Sequence, residues 1–229
     1  MGSERDSSRI KVLKEVNQVF AEEGLPRWTE LRRIGKHRMG EFEITGVQSV
    51  MRDVKRYYVI ITFKVIRPDG TSGEYGVRFS WPAAAVLAVV NGFVILVKQH
   101  RLPLGKWTTE TPRGWIPPEA AADHRATVRA VLSGEIGEEW TARLTPFEPT
   151  LVGEMPDDTG YHALTVPVYY LEASTTMPLP KWCGVHQPRA FPWEEVHRLE
   201  DVGVINDAHT LAVLRKVERH LAKKSVTLG

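Results

Sequence analysis

The sequence predicts an α+β protein with a mixed sheet, on three observations. Residues 9–23 carry helical periodicity, the middle of the chain is a series of short β-rich runs, and helical periodicity returns at 122–140 and again at 207–223. A strand-rich middle with one central and one terminal helix suits a sheet layered by helices, an α/β/α sandwich. With 229 residues there is enough chain for one substantial core and a small N-terminal addition.

Taken in order, Val12, Val16, Val19 and Phe20, with Leu13 beside them, mark the apolar stripe of the first helix, and Gly24 and Pro26 supply its stop. The basic stretch LRRIGKHRMG at 31–40 reads as a solvated surface rather than a binding patch. From Tyr57, YYVIITFKVI and EYGVRFS flank Pro68-Asp69-Gly70 as a hairpin. A second hairpin, AVLAVVNGFVILVKQ, turns at Asn91-Gly92, because a type I′ turn needs positive φ at both central residues. Its strands are almost wholly apolar and should be buried on both faces. Residues 103–120 are rich in Pro and Gly and read as loop with a short strand at 107–111. A helix over 122–140 follows, then strands in TLVGEM and TVPVYYLEA separated by a turn-rich loop. Pro192 opens a short helix in FPWEEVHRL, and Leu211, Leu214, Val217 and Leu221 stripe the last one.

Composition narrows the function. A formal net charge of +2 gives no reason to expect nucleic acid as a partner. The single cysteine, Cys183, excludes an internal disulfide framework and a Cys-rich zinc site, and predicts a cytoplasmic protein. The start MGSERDSSR lacks the apolar core of a signal peptide, and the longest apolar stretch is broken by Asn91-Gly92, so no membrane span is expected.

Within the central helix, GEIGEEW at 134–140 places Glu135, Glu138 and Glu139 at i, i+3 and i+4 on one side. Like charges at those spacings cost ~0.2–0.5 kcal/mol per pair, and each interior glycine costs roughly 0.5–1 kcal/mol relative to alanine. A divalent cation reverses the repulsion, since Mg²⁺ prefers carboxylate oxygens and keeps sites for water and substrate phosphate. The plain alternative is a solubilising helix end. Val128, Leu132, Ile136 and Trp140 recur at four-residue spacing as the packed face, which leaves the glutamates off it.

Together QHRLPLGKWTTETPRGWIPPE, EIGEE, GEMPDDTG and INDAHTLAVL resemble the Nudix hydrolases, specifically the ADP-ribose pyrophosphatase branch, over about residues 57–220. The resemblance implies a Nudix-type α/β/α sandwich with a mixed sheet over 81–229, preceded at 1–80 by a helix and β-hairpin subdomain that pairs two subunits into a homodimer. The family's box, G-x5-E-x7-R-E-U-x-E-E-x-G-U with U aliphatic, holds Mg²⁺ for cleavage of a diphosphate linked to another group. Gly114 fits its first glycine and Glu135, Ile136, Glu138 and Glu139 fit E-U-x-E-E. Gly134 then replaces the arginine, Thr141 the late glycine and Ala126 the first glutamate, and the loop is six residues too long. In a rival register Gly137 is the late glycine, Glu135 the only surviving glutamate, and the loop two residues too long. The first register is preferred here.

By the same resemblance Glu135, Glu138, Glu139 and the carbonyl of Arg113 ligate Mg²⁺, with Mn²⁺ as a substitute. Arg101, Glu110, Arg113 and Trp115 line the substrate. Leu164 occupies the position of the usual base, which leaves Asp157, Asp158, His162 or a box glutamate such as Glu139 or Glu135 to deprotonate water. The implied function is metal-dependent hydrolysis of a nucleoside diphosphate linked to a sugar or similar moiety. Two further readings stay open: a Nudix-fold protein that binds a nucleotide-like ligand without cleaving it, and a repurposed enzyme with an unusual substrate.

Overall fold

The computed structural model describes residues 2–25, 27, 42–53 and 58–227, so Pro26 and the basic stretch at 31–40 lie outside the described residues. Two compact units emerge, one of residues 1–81 with 158–164, the other of 82–157 with 165–229.

In the first unit, helix α1 (Gly2–Glu22) turns Val12, Val16, Val19 and Phe20 inward and ends where Gly24 adopts φ 66°. Strands β1 (Glu43–Arg52), β2 (Tyr58–Ile66) and β3 (Ser72–Ser80) form an antiparallel meander. Alternate residues Val59, Ile61, Phe63 and Val65 of β2 share one apolar cluster with the α1 stripe and Phe79. Strand β1 is absent from the sequence expectation for a local reason: register shifts at Ile44/Gly46 and Val47/Ser49 break its two-residue alternation.

The second unit is a mixed sheet between helices. Strands β4 (Ala83–Val90) and β5 (Phe93–Arg101) are joined by Asn91 at φ 52° and Gly92 at φ 82°, the positive pair a type I′ turn requires. Short strands β6 (Lys106–Glu110) and β7 (Arg113–Trp115) pair with β5 and β4 respectively. After β8 (Thr150–Asp158), strand β9 (His162–Ala173) runs parallel to β4, and β10 (Gln187–Phe191) closes antiparallel on β5. Helix α2 (His124–Glu135) starts at Asp123, whose carboxylate accepts from the amides of Arg125 (2.7 Å) and Ala126 (2.9 Å). Its Val128, Val131 and Leu132 pack with Val86, Ala88 and Val90 of β4. Leu87 and Val89, also buried, alternate to the other face of β4, the strand on which α5 (Ala208–Thr227) packs, while α4 (Trp193–Asp201) lies on β5.

The continuous helix expected over 122–140 is two helices. Helix α2 stops at Glu135, Gly137 sits at φ 127° and ψ 140°, and a five-residue helix α3 (Glu138–Ala142) restarts beyond it. Ile136 and Trp140 are still buried, so the apolar four-residue spacing is satisfied across a turn rather than along one helix. An L side chain rarely adopts φ 127°, and a Cβ at Gly137 would meet nothing within 4 Å, so backbone conformation alone penalises substitution. Gly137→Ala is therefore expected to lower unfolding free energy by about 1–3 kcal/mol in denaturant titration, whereas Gly134→Ala, in a helical position with open space, leaves it unchanged or slightly raised.

Candidate functional site

In the second unit the ends of β5, β6 and β7 converge on a buried carboxylate. Glu110, 1% exposed, receives Arg101 Nε on Oε1 at 2.8 Å, with a second, shorter contact from Arg101 Nη2 to Oε2, and Arg113 Nη2 stands 3.0 Å from Oε2. Thr108 Oγ1 donates to it at 2.6 Å and Gln99 Nε2 at 3.4 Å. Burial alone pushes this carboxyl up, but the hydrogen bonds from Arg101 and Thr108 and the charge of Arg113 outweigh it and hold it below the usual carboxylate range. Strand pairing sets this up: Thr108 faces Gln99 across β5 and β6, and Glu110 and Arg101 each lie two residues along their strand from that pair, so these four polar side chains share one face.

Arg113 is also clamped by Asp207, at 2.8 Å and 3.1 Å, in a two-pronged pair. Asp207 in turn accepts from the amide and hydroxyl of Thr210 at the start of α5, and the same hydroxyl accepts from the amide of Thr111. One aspartate thus caps a helix and fixes an arginine.

Glu135 ends α2 beside this network. Burial, and secondarily the Glu110 charge, push its carboxyl up to about 7 against the opposing pull of Arg101 and Arg113. A Cβ on Gly114 would stand 3.4 Å from Oε1, so glycine at that point of β7 leaves the carboxyl its room. On the other side His186 Nε2 lies 3.4 Å from Oε2, with both side chains mostly buried. Burial and the nearby Arg101 charge hold His186 below the usual imidazole range. Glu135 Oε2 and His186 Nδ1 are buried without a hydrogen-bond partner among the described residues.

The structure therefore brings Arg101, Glu110, Arg113, Gly114 and Glu135 together, and adds His186, Asp207, Thr210 and Thr108. Asp207 was readable as a cap, three residues before Thr210 at the start of an apolar-striped helix. His186 carries no local signal. Trp115 is on β7, 38% exposed. Glu138 and Glu139 occupy the first turn of α3 and are exposed, because the break at Gly137 separates them from the α2 helix on which Glu135 sits. Asp157 pairs with His209, 3.2 Å from its Nε2. Asp158 accepts from the amides of Gly160 and Tyr161, a turn role. His162 belongs to the first unit, with Nε2 2.8 Å from Ser80 Oγ.

The expected Mg²⁺ set is not gathered into one cluster among the described residues. Among the described residues no group of three or more His, Cys, Asp and Glu is placed to hold a metal ion, and Glu110 is already engaged by two arginines. The helix break is the cause, since the i, i+3, i+4 geometry requires an unbroken α-helix.

Neither a protein-family model nor a curated protein sequence matches the chain. Among solved structures, one described as an ADP compounds hydrolase superposes with a TM-score of 0.64 at 13% identity, covering 82% of this chain and 98% of that one. The likeness is one of fold, and it shows the same α+β architecture, a mixed sheet with helices. No described helix is long and apolar enough to cross a membrane.

The raised Glu135 carboxyl has a consequence for stability. Its folded value of about 7 exceeds its ordinary value of 4.5, so the folded state binds the extra proton between those values. Stability then falls as pH rises from about 4.5 to 7 and levels off above. Glu135→Gln removes the titration. It is expected to match wild type near pH 4 and to exceed it at pH 8, by on the order of 3 kcal/mol at most, in urea titrations at the two pH values.

Proposed function

We propose that the chain hydrolyses a nucleoside diphosphate linked to a sugar or similar group, of the ADP-ribose class, with Glu135 as the acid–base group. The observation that carries this reading is the Glu135 carboxyl: buried, with Oε2 unpartnered among the described residues, pushed up to about 7, and set against Gly114 in the field of Arg101 and Arg113. A group poised near neutrality is suited to proton transfer. The Nudix-type fold and its likeness to an ADP compounds hydrolase favour the substrate class.

In this reading ionised Glu135 takes a proton from water as the water oxygen bonds to phosphorus and the bridging P–O bond breaks, which releases two phosphate monoesters. Arg101, 35% exposed, has the open guanidinium edge for a phosphate oxygen, whereas Arg113 is held by Glu110 and Asp207 and orients the strand end.

A second reading, a protein that binds such a ligand without cleaving it, draws on the outward placement of Glu138 and Glu139. Binding seen by calorimetry with no product by mass spectrometry would establish it over the first.

Purified protein assayed on ADP-ribose, nucleotide sugars and dinucleotides, with and without Mg²⁺ or Mn²⁺, is expected to release monophosphates. The rate should rise with pH through about 7, because the base acts ionised. Glu135→Gln should lower kcat by about 10²- to 10⁴-fold, while Glu139→Gln stays close to wild type. Loss of turnover in Glu139→Gln would instead reinstate the three-glutamate site. The N-terminal unit is further proposed to pair two copies, and light scattering should return the mass of a dimer.

A further inference from the structure

His186 reaches Glu135 from a segment with no other connection to the site chemistry. Residues 183–186 form a tight hairpin closed by two backbone hydrogen bonds between Cys183 and His186, at 2.9 Å and 2.8 Å, with Gly184 at φ 55° making the reversal. The hairpin is pinned to the end of α2, where Cys183 Sγ donates to the carbonyl of Gly134 at 3.6 Å, one residue before Glu135.

Its side chains are arranged against hydrophobic expectation. Val185 is 69% exposed and the preceding Trp182 55%, yet the polar imidazole turns inward with only 16% of its side chain exposed. Packing does not account for an inward histidine beneath an outward valine. Nor does a finished structural hydrogen bond: the Gly134 backbone lies beside the ring, but Nδ1 has no partner in hydrogen-bond geometry among the described residues, and Nε2 meets Glu135 Oε2 at 3.4 Å, also outside that geometry. The Glu135 carboxyl is bounded on its Oε1 side by Gly114 and on its Oε2 side by this ring.

We propose that His186 is a positioning residue for Glu135: the 183–186 hairpin delivers the imidazole as a wall that holds the carboxyl in one rotamer against Gly114. This rests on the reading of Glu135 as the working carboxyl, but the restraint itself is a property of the folded chain. A second backbone segment, distant in sequence from α2, therefore sets the aim of the group at its end.

Three-bond ¹³C couplings to the Glu135 carboxyl carbon report its side-chain rotamer directly, with or without turnover. Wild type should show a single rotamer, His186→Ala averaged couplings, and His186→Gln, which retains a side chain of similar reach to wall off the carboxyl, the single rotamer again. If His186→Ala does not fold, His186→Ser, which likewise removes the ring, takes its place and should also average. A single unchanged rotamer in His186→Ala or His186→Ser overturns the proposal. In the enzymatic arm His186→Ala should lower kcat by about 10- to 100-fold with KM unchanged, and His186→Gln should recover most of it. A change confined to KM would also overturn it. If wild type shows no turnover on any diphosphate, the hydrolase reading falls, and the couplings still decide whether His186 positions Glu135.

Discussion

A carboxylate as buried as Glu110 persists in ionised form only because two guanidinium groups reach it, and the site is organised around that requirement. Arg101 arrives from the end of β5 and Arg113 from the start of β7, so satisfying one charge fixes the relative register of three strand ends. The positive excess left by two arginines on one glutamate is then absorbed by Asp207, which draws in the start of α5. Each ion in the chain answers the one before it. Removal of any single member leaves a neighbour buried and unmatched, which is costlier than the pair itself is favourable.

Against that neutralised network Glu135 is the exception. It lies close enough to feel Arg101 and Arg113 but is bonded to neither, and burial decides its protonation. The contrast between two neighbouring glutamates, one held ionised and one held near neutrality, is what separates a structural carboxylate from a chemical one. The fold itself does not depend on either glutamate: the sheet and helices rest on apolar packing in the Val86, Val128 and Leu132 cluster, to which the glutamates contribute nothing.

Much of the fold was legible in residue order. The Asn91-Gly92 hairpin, the α1 stripe and the two terminal helices all rest on local rules of turn chemistry and periodicity, which one sequence carries in full. What escaped was non-local. Strand β10 has only five residues and is defined by its pairing with β5, and β1 hides its alternation behind two register shifts. At the site, Arg101, Glu110, Gly114 and Glu135 were named from their motif context and the structure gathers them. Glu138 and Glu139 were placed on the assumption of a continuous helix, and the glycine that weakened that assumption, Gly137, is the residue that breaks it. His186 could not be found from sequence, because its proximity to Glu135 is created by a hairpin fifty residues away along the chain.

The double role of Asp207, as cap of α5 and clamp of Arg113, couples the C-terminal helix to the site through a single side chain. Local opening of the first turn of α5 would withdraw one of the two counter-charges of Arg113, leaving Glu110, in the same event. Amide exchange in that turn and the availability of Arg113 to an incoming anion are consequently two views of one fluctuation. A ligand that drew Arg113 away from Asp207 would be felt as fraying at the head of the last helix.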